Sequence, residues 1–362
     1  MTGREVALAT LHREDVPLPC MTNCWVTHSA YISRIIGRDY WAEPEANFCE
    51  FVRLTGANFV PQWYYPREAQ RKLETRELMH ETRQHEAAGF RSPEDVRDFA
   101  EQLPDDEAIE RDFDIEQAAE TYAQTILRHS EMMGPEVLVI DGYGQTDFMG
   151  GYTRFGYENY LVCAGLYPEA LRRYYHHSAV NARLRNHAIV QAIERHHLAP
   201  FVYGGQDICG SGGPLMSPAM LRELYFPELK WAMEPLIEAG IGVTWHCDGN
   251  ILPILRDLLD LGIMGLQGFE EEHGPRWEEM CALKAPDGRP ISVWGCVSVT
   301  STLPHGTPED VREAVERSYT VAGRGRGHVL SSTSSILPET PQANIDALFD
   351  HAHRFGREFL GG

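Results

Sequence analysis

The sequence predicts an α/β protein with the architecture of a (β/α)8 TIM barrel and an N-terminal helical excursion. Short runs rich in β-branched and aromatic residues alternate with longer helical patterns along most of the chain. Alternation of this kind indicates a parallel sheet, because each crossover helix returns the chain to the same edge. The number of such units in 362 residues favours a closed barrel over an open doubly wound sheet. A hydrophobic content of 43 % provides for a large core.

The predicted elements follow one another in a regular order. The predicted strands are Ala57–Gln62, Val137–Gly142, Pro200–Gln206, Gly242–His246, Ile263–Phe269, Ile291–Val297 and His328–Ser332. The predicted helices are Glu116–Met133, Glu169–His197, Pro218–Ala239, Ile251–Leu261, Pro308–Val321 and Pro341–Phe359. Ser217, Thr307 and Thr340 each place a capping hydroxyl before a proline, which is typical of a helix start.

Residues 1–362 are predicted to form a single barrel domain. Residues 64–115 do not follow the strand and helix rhythm, because they are rich in Glu, Arg, Asp and Pro. We expect this segment to be an insertion that lies over the barrel. The run Gly323-Arg-Gly-Arg-Gly327 follows a helix and precedes a strand, the reverse of a phosphate-binding loop, so we interpret it as a turn.

The charge balance excludes two classes of partner. The chain has 32 basic and 53 acidic side chains, a formal charge of −21. Such a surface repels nucleic-acid phosphates and anionic lipid, so we expect neither as a partner. No apolar run of about 18 residues is present, and Met1–Asp15 lacks the apolar core of a secretion signal. The eight cysteines have no paired spacing, which favours reduced thiols and a cytoplasmic protein.

The segment 241–250 is the most informative part of the sequence. It reads Ile-Gly-Val-Thr-Trp-His-Cys-Asp-Gly-Asn, an apolar strand that leads directly into polar residues and a turn. Side chains alternate between the two faces of a strand, so His246 and Asp248 are predicted to point the same way and Cys247 the other way. Asn250 is a plausible cap for the helix that follows. An imidazole and a carboxylate are therefore expected at one spot.

Other polar residues follow other predicted strands. Asp141 and Tyr143 follow one strand, Asp207 follows the next, Glu270 follows Phe269, and Cys296 lies near the end of its strand. In a barrel the functional residues sit at the carboxyl ends of the strands, which meet at one face. Acids, an imidazole and a thiol at a common mouth support either acid–base chemistry or a metal. Each has a structural alternative, since acids cap loops and a thiol packs as a small apolar group.

Four segments resemble the uroporphyrinogen decarboxylase superfamily. They are Gly213-Pro-Leu-Met-Ser-Pro-Ala-Met-Leu-Arg-Glu-Leu-Tyr-Phe-Pro-Glu-Leu, His246-Cys-Asp-Gly-Asn, Leu303-Pro-His-Gly-Thr-Pro-Glu-Asp-Val-Arg and Ile336-Leu-Pro-Glu-Thr-Pro-Gln-Ala-Asn-Ile. In order and spacing the resemblance runs from about Glu136 to Phe359. It implies a (β/α)8 barrel and one of two activities. These are decarboxylation of porphyrinogen acetates and cobalamin-linked methyl transfer, which includes demethylation of methoxylated aromatic compounds.

The chain departs from the decarboxylase pattern of that family. True uroporphyrinogen decarboxylases carry an Arg-Gln-Ala-Gly-Arg-Tyr segment near the N-terminus, whereas the corresponding region here reads Thr22-Asn-Cys-Trp-Val-Thr-His-Ser-Ala-Tyr31. They also have a histidine where this chain has Ser334. Without these arginines, a protein of charge −21 lacks the guanidinium groups that hold a polyanionic substrate. A porphyrinogen is therefore the less favoured substrate.

The zinc-binding methyltransferases of the family use His-X-Cys and a distant Cys. In this chain the matching positions are His246, Asp248 and a position at or beside Ser334. Zinc accepts imidazole and carboxylate ligands, so a site built from His246 and Asp248 with Glu270 or Cys296 is chemically sound. The resemblance thus favours the cobalamin-dependent methyltransferase and O-demethylase branch, whose metal ligands vary.

The resulting hypothesis is a methyltransferase that moves a methyl group from a small methoxylated or methylated substrate to a corrinoid carried by a partner protein. A metal or a protonated side chain would stabilise the leaving oxygen. We assign catalytic roles to His246, Asp248 and Asp207. The predicted substrate-binding residues are Asp141, Tyr143, Glu270, Trp63, Tyr64, Trp294 and Ser334. A homodimer is expected from the family.

Two alternatives remain open at the level of sequence. The first is a metal-independent decarboxylase or lyase acting on another carboxylate, in which His246 or an Asp-paired water protonates a carbanion. The second is a non-enzymatic protein that binds a small ligand in the barrel mouth, suggested by Ser334 at the position of the family's His or Cys. Metal content and turnover separate these alternatives.

Overall fold

A computed structural model describes residues 1–23, 25–67 and 89–361. The strands in these ranges are β1 (Phe59–Val60), β2 (Leu138–Val139), β3 (Phe201–Gly205), β4 (Cys209–Gly210), β5 (Gly213–Pro214), β6 (Gly242–Gly249), β7 (Gly265–Phe269), β8 (Ser292–Val297) and β9 (Val329–Ser332). The prediction of strands is confirmed at all seven places where the sequence indicates one, although several strands are shorter than expected.

Helices separate most of the strands. They are α1 (Gly3–Leu11), α2 (Ser29–Ile36), α3 (Pro44–Leu54), α4 (Pro93–Glu101), α5 (Asp106–Asp112), α6 (Ile115–Met133), α7 (Met149–Phe155), α8 (Tyr157–Leu166), α9 (Pro168–His196), α10 (Pro218–Leu224), α11 (Phe226–Glu238), α12 (Leu255–Asp260), α13 (Trp277–Cys281), α14 (Thr302–His305), α15 (Pro308–Ala322) and α16 (Gln342–Gly361). Among the residues with described structure, none of these helices combines the length and apolar content that a membrane crossing requires.

Local sequence signals explain several helix ends. The hydroxyl of Ser217 accepts a hydrogen bond from the Met220 N–H at the start of α10. Thr307 forms a full capping box with Asp310 at the start of α15. The prediction of one continuous helix over Pro218–Ala239 is wrong, since the helix breaks at Tyr225. Proline follows at the second position of α11, and its ring disfavours a helical conformation in the preceding turn.

The principal sheet is parallel and curled. It contains five strands in the order β3, β6, β7, β8, β9, while β1 and β2 form a separate parallel pair. The Tyr203 N–H donates to the Asp141 carbonyl at 3.2 Å, which links the β2 edge to β3. At the other edge Met21 forms a parallel bridge with Leu330 of β9, and its carbonyl accepts the Asn58 N–H at 3.2 Å. The architecture is an α/β fold of the TIM-barrel type.

Alternating side chains divide the core into two layers. Val243, Trp245 and Leu266 point outward and pack in the same buried cluster as the helices α10 and α11. The inward layer contains Tyr203 and Trp294, whose rings stack with centroids 5.4 Å apart. Inward polar residues of β6, β7 and β8 are also buried, namely Thr244, Gln267 and Ser292. The inner layer therefore combines stacked aromatic rings with buried polar side chains.

The segment 64–115, predicted as an insertion, is described in part. Residues 68–88 lie outside the described ranges. The helices α4 and α5 pack against α8 and α9 on the outside of the sheet. The Arg173 Nε donates to the Ala100 carbonyl at 2.9 Å, and the Tyr167 hydroxyl donates to Glu94 at 2.7 Å. The description of 64–115 as an insertion into a single domain stays a prediction.

Candidate functional site

The carboxyl end of β6 brings His246 and Asp248 together. The Nε2 atom of His246 lies 3.6 Å from Oδ1 of Asp248. Cys247 points to the opposite face, where its side chain is 1 % exposed within the outer hydrophobic cluster. The structure thus confirms the alternation that the strand pattern predicts. An imidazole and a carboxylate share one side of β6.

Asp207 completes the group from the neighbouring strand. It lies between β3 and β4, and its Oδ1 is 3.5 Å from Nε2 of His246. The same oxygen accepts the Asp248 N–H at 3.1 Å, which ties the loop after β3 to the end of β6. Ligand atoms of Asp207, His246 and Asp248 all lie within 4.8 Å of one another. Their side chains are 32, 21 and 34 % exposed, so a small molecule or ion can reach them.

Gln267 of β7 determines which nitrogen of His246 carries the proton. The side-chain amide of Gln267 donates to the carbonyls of Ser332 and Thr333 at 3.2 and 2.8 Å. Its Oε1 must therefore accept, and it does so from Tyr203 at 2.7 Å and from His246 Nδ1 at 2.5 Å. The proton of neutral His246 lies on Nδ1. Nε2 then presents a lone pair to the two carboxylates.

Asp248 is held in an environment poor in hydrogen-bond donors. Ser334 Oγ donates to Oδ2 at 3.1 Å. The other oxygen, Oδ1, is buried without a hydrogen-bond partner in the described part of the chain. Burial raises the pKa of Asp248 to about 6, with a further increase from the negative charge of Asp207, while His246 and Ser334 act in the opposite direction. Among the described residues, the negative charge of the two carboxylates is therefore only partly compensated.

A glycine on β7 allows the imidazole to lie where it does. Gly268 has φ of 103°, and a Cβ at this position would lie 2.5 Å from Nδ1 of His246. Any larger residue would therefore displace the ring, and it would also adopt an unfavourable backbone conformation. The sequence Gln267-Gly268 places the acceptor for Nδ1 and the space for the ring side by side.

The three donors fit a divalent metal ion. A tetrahedral ion bound at about 2.1 Å holds its ligands about 3.4 Å apart, close to the 3.5 and 3.6 Å from His246 Nε2 to the two carboxylate oxygens. A metal-binding histidine usually donates its other N–H to a fixed acceptor, as His246 does to Gln267. One imidazole and two carboxylates suit zinc and other borderline or hard cations.

Glu270 lies beside this group and is not part of it within the described residues. Its Oε2 is 3.5 Å from His273 Nε2. Burial raises the pKa of Glu270, and the nearby charges of Glu272 and Asp207 add to this increase. Glu270 therefore contributes negative potential to the mouth of the site. Its predicted role as a metal ligand is not supported by the cluster that the structure forms.

The structure places Cys296, a predicted metal ligand, away from the group around His246. Its side chain belongs to the outer hydrophobic cluster, near Ser318 on α15, and burial raises its pKa. The preceding Gly295 has φ of 144°, which interrupts the regular alternation of β8. Trp294 consequently faces the inner layer while Cys296 faces the helices. A thiol in this position does not meet the group around His246.

The predicted aromatic residues do not gather around His246. Trp294 is 1 % exposed, stacks on Tyr203 and donates from Nε1 to Ser292, so it belongs to the inner core. Trp63 is also buried; it stacks on His129 with centroids 3.8 Å apart and donates to Glu45. Tyr64 packs at the edge of the inner cluster. The structure does not bring Trp294 or Trp63, which are predicted to bind the substrate, to the group around His246.

Asp141 and Tyr143 lie at the end of β2 and face a different region. Both line a cavity between α6 and α9, on the helical side of the sheet. The hydroxyl of Tyr143 is buried without a partner in the described part of the chain. The sequence predicts that these two residues share the mouth of the barrel with His246, and the structure does not place them there. Ser334, in contrast, lies where expected and contacts Asp248.

Sequence reasoning missed three residues that shape the site. Gln267 and Tyr203 hold the imidazole in one tautomer, and the Tyr152 hydroxyl donates to the Asp207 carbonyl at 3.4 Å. Gln267 had a detectable signal, because a glutamine inside an otherwise apolar strand needs a buried partner. Tyr152 had none, since it reaches the site from α7, a helix that the periodicity did not reveal.

Two comparisons relate this chain to known proteins. Residues 203–355 match the family model described as uroporphyrinogen decarboxylase (URO-D). This match confirms, over residues 203–355, the resemblance to the uroporphyrinogen decarboxylase superfamily found in the sequence. The matched segment contains Asp207, His246, Asp248 and Gln267.

Solved structures share the fold over nearly the whole chain, and 22 chains match it. One is a methyltransferase from Methanosarcina mazei, with a TM-score of 0.65 and 19 % sequence identity over 98 % of this chain and 99 % of that chain. At this identity the similarity establishes the fold. No curated protein sequence matches the chain.

Proposed function

We propose that this protein is a metal-assisted methyltransferase that transfers a methyl group from a small methoxylated or methylated substrate to a corrinoid held by a partner protein. The proposal places the reaction at Asp207, His246 and Asp248. It is supported by the match of residues 203–355 to the uroporphyrinogen decarboxylase family model and by the fold shared with a methyltransferase. The corrinoid, the partner protein and the substrate class are parts of the proposal.

The observation that carries the proposal is the orientation of His246. Its Nδ1 donates to Gln267, so Nε2 presents a lone pair to the carboxylates of Asp207 and Asp248. A neutral imidazole with its lone pair facing two carboxylates is unfavourable unless a cation or a proton lies between them. The Oδ1 of Asp248 has no hydrogen-bond partner among the described residues, and this absence and the raised pKa of Asp248 point to the same need for positive charge.

The side chains of this site would support methyl transfer by stabilising the leaving group. During the reaction the bond between the methyl carbon and oxygen breaks, the electron pair stays on oxygen, and the oxygen then takes up a proton. When bound, a divalent ion supplies positive charge that stabilises such an oxygen anion. His246, Asp207 and Asp248 would hold the ion. Gln267 would orient His246, and Ser334 would orient Asp248. Tyr152 would hold the loop after β3 through its hydrogen bond to the Asp207 carbonyl.

The barrel itself is part of the proposal. We infer that the segment around Met21, β1, β2, β3, β6, β7, β8 and β9 closes into one ring of parallel strands. The parallel bridge at Met21 and the hydrogen bonds from Asn58 and Tyr203 support this closure. A closed ring would give the substrate one mouth above His246, and the corrinoid partner would approach from the same side.

A second candidate function is decarboxylation or a related lyase reaction on a carboxylate substrate. It is favoured by the pKa of Asp248, which is about 6. Because an acid with this pKa is partly protonated near neutrality, Asp248 could donate a proton to a carbanion left by loss of carbon dioxide. In this alternative no metal is needed. Metal content therefore separates the two candidates.

The first experiment is elemental analysis of the purified protein, after reconstitution with zinc and removal of loosely bound ions. We expect about one metal ion per chain, and loss of this ion in His246→Ala. Cys296→Ala is the matched control, because Cys296 lies in the outer cluster and should leave the metal in place.

The second experiment measures the reaction. Methoxylated aromatic compounds are incubated with the protein and reduced cobalamin, and methylation is followed by the absorbance change of the corrinoid. Transfer that needs both His246 and the metal supports the proposal. Carbon dioxide release from carboxylate substrates by the metal-free protein would instead establish the lyase alternative. Ligand binding without either reaction would indicate a binding protein.

A further inference from the structure

A second cavity lies outside the candidate active site. It has a volume of about 600 Å³ and is bounded by α6, α9 and the loop that follows β2. Its walls share no residue with the group around His246. The residues that line it are Phe113, Asp114, Gln117, Ala118, Thr121, Tyr122, Thr125, Asp141, Gly142, Tyr143, Gly144, Arg185, Ala188 and Ile189. A cavity of this size is large enough for a small organic ligand.

The carboxylate of Asp141 forms one part of the cavity wall, and few neighbouring groups compensate its negative charge. Asp141 accepts a hydrogen bond from the N–H of its own neighbour Gly142 at 2.8 Å, and it makes no ion pair with any residue that the structure describes. Burial raises the pKa of Asp141. The hydroxyl of Tyr122 is buried without a hydrogen-bond partner among the described residues, and burial, together with the charge of Asp141, raises the pKa of this phenol. A carboxylate in this setting would be stabilised by a cationic group.

The opposite charge is present in the same cavity. Arg185 of α9 is exposed and lines the cavity. Neither an ion pair nor a hydrogen bond of its guanidinium is formed with the residues of the described ranges. Asp141 and Arg185 therefore face one volume without neutralising each other. The lining of the cavity also includes apolar side chains, among them Ala118 and Ile189.

We propose that this cavity binds a zwitterion of amino-acid size with an apolar side chain, whose ammonium group is held by Asp141 and whose acid group is held by Arg185. The guanidinium can form paired hydrogen bonds with a carboxylate, and the carboxylate of Asp141 accepts from an ammonium group. Ala118, Ile189 and the ring of Tyr122 would cover the apolar part. This inference does not depend on the proposed methyl transfer, because the two sites share no residue.

The test uses three probes that differ by one charged group each. L-Phenylalanine carries both charges, 2-phenylethylamine lacks the acid and 3-phenylpropanoate lacks the ammonium group. Binding to the wild-type protein is measured by isothermal titration calorimetry. We expect L-phenylalanine to bind with the highest affinity. Each singly charged probe should bind at least about tenfold more weakly, which corresponds to about 1.4 kcal/mol of binding free energy.

Two variants assign the charges. Asp141→Asn should remove binding of 2-phenylethylamine, while Arg185→Gln should make L-phenylalanine bind no better than 2-phenylethylamine. Because Arg185 is exposed, this second variant should fold even if Asp141→Asn does not. Arg4→Gln and Asp98→Asn, at surface positions away from the cavity, are the matched controls. His246→Ala should bind all three probes as the wild type does.

Clear results would overturn the proposal. These are the absence of saturable binding by the folded wild-type protein, or affinities for L-phenylalanine that do not change in Arg185→Gln. Loss of binding in His246→Ala would also overturn it, because it would place the probe in the other site. Failure of methyl transfer would not affect this result.

Discussion

The ends of β2 and β6 present similar residues in different directions. Asp141 follows β2 and Asp248 closes β6, and burial raises the pKa of both acids. Asp248 lies beside a histidine and a second aspartate. Asp141 lines a cavity between two helices instead. A position at the carboxyl end of a strand thus determines at which end of the sheet a residue lies. It does not determine the face of the sheet to which the side chain points.

The two regions differ in what surrounds each carboxylate. At β6, Gln267 and Gly268 of the adjacent strand orient an imidazole toward Asp248. At β2, the adjacent groups are backbone N–H and phenol. The proposed ion would therefore meet several converging donors at β6, whereas the proposed zwitterion would meet one carboxylate at β2. The neighbouring strands, rather than the acid itself, therefore decide the chemistry.

The largest expected effect follows from removal of the imidazole. In His246→Ala the site loses the one nitrogen donor among the three grouped ligands. Loss of a residue that only hydrogen-bonds to a metal ligand lowers metal affinity by up to about 100-fold. Loss of the ligand His246 itself should therefore lower metal affinity by at least this factor. Metal-dependent methyl transfer should fall with it. Elemental analysis and the corrinoid assay measure both. Asp141→Asn is the control from the other region and should retain the metal. Equal metal loss in both variants would remove the distinction between the regions.

The next effect concerns Gln267. Gln267→Met keeps the volume but removes the acceptor for His246 Nδ1, so metal affinity should fall by about 10- to 100-fold. Gln267→Glu keeps an acceptor oxygen and should retain more affinity than Gln267→Met, although two buried carbonyls lose donors. Competition with a zinc chelator measures the affinities. If Gln267→Met bound zinc as tightly as the wild type, the assignment of the tautomer by Gln267 would be wrong.

Much of the architecture and part of the site could be predicted from the sequence. Hydrophobic periodicity located the strands, and the alternation within β6 placed His246 and Asp248 on one side. These features are local, since they depend on the geometry of one extended segment. Motif spacing also identified the superfamily, which the family match confirms.

The remainder depends on contacts between distant segments. The hydrogen bonds of Gln267 to Ser332 and Thr333 join residues that are 65 and 66 positions apart. The outward direction of Cys296 depends on the conformation of Gly295, which periodicity does not reveal. Likewise, the strand end at Asp141 did not show that α6 and α9 would enclose it. Such features are properties of packing, so a strand pattern alone misplaces these residues.

A smaller effect is expected from crowding at β7. Gly268→Ala would place a Cβ 2.5 Å from His246 Nδ1, whereas a Cβ at Gly240 meets nothing within 4 Å. Both glycines have positive φ, at 103° and 72°. Gly240→Ala should therefore lose about 1 kcal/mol of stability from backbone strain alone, and Gly268→Ala should lose about 1–3 kcal/mol more together with metal affinity. Urea unfolding and zinc titration give the two readouts. An equal loss of stability in both variants would show that His246 has room to move.

The smallest effect compares the two acids directly. The pKa of Asp248 is raised from 3.8 to about 6 in the folded protein, so the folded state binds more protons and its stability falls as pH rises from about 4 to 6. Asp248→Asn should remove this loss. At pH 7 and without metal, it should stabilise the protein by up to about 1 kcal/mol, after allowance for solvent screening of a partly exposed group.

Asp141→Asn should change stability in the same direction, because burial also raises the pKa of Asp141. Added zinc separates the two acids. Zinc should stabilise the wild type and Asp141→Asn by binding to the folded state, but it should stabilise Asp248→Asn much less. Urea unfolding at pH 4 and pH 7, with chelator or with zinc, measures these differences, and Asp98→Asn serves as an exposed control. A zinc response in Asp248→Asn equal to that of Asp141→Asn would mean that the carboxylate at the end of β6 does not hold the ion.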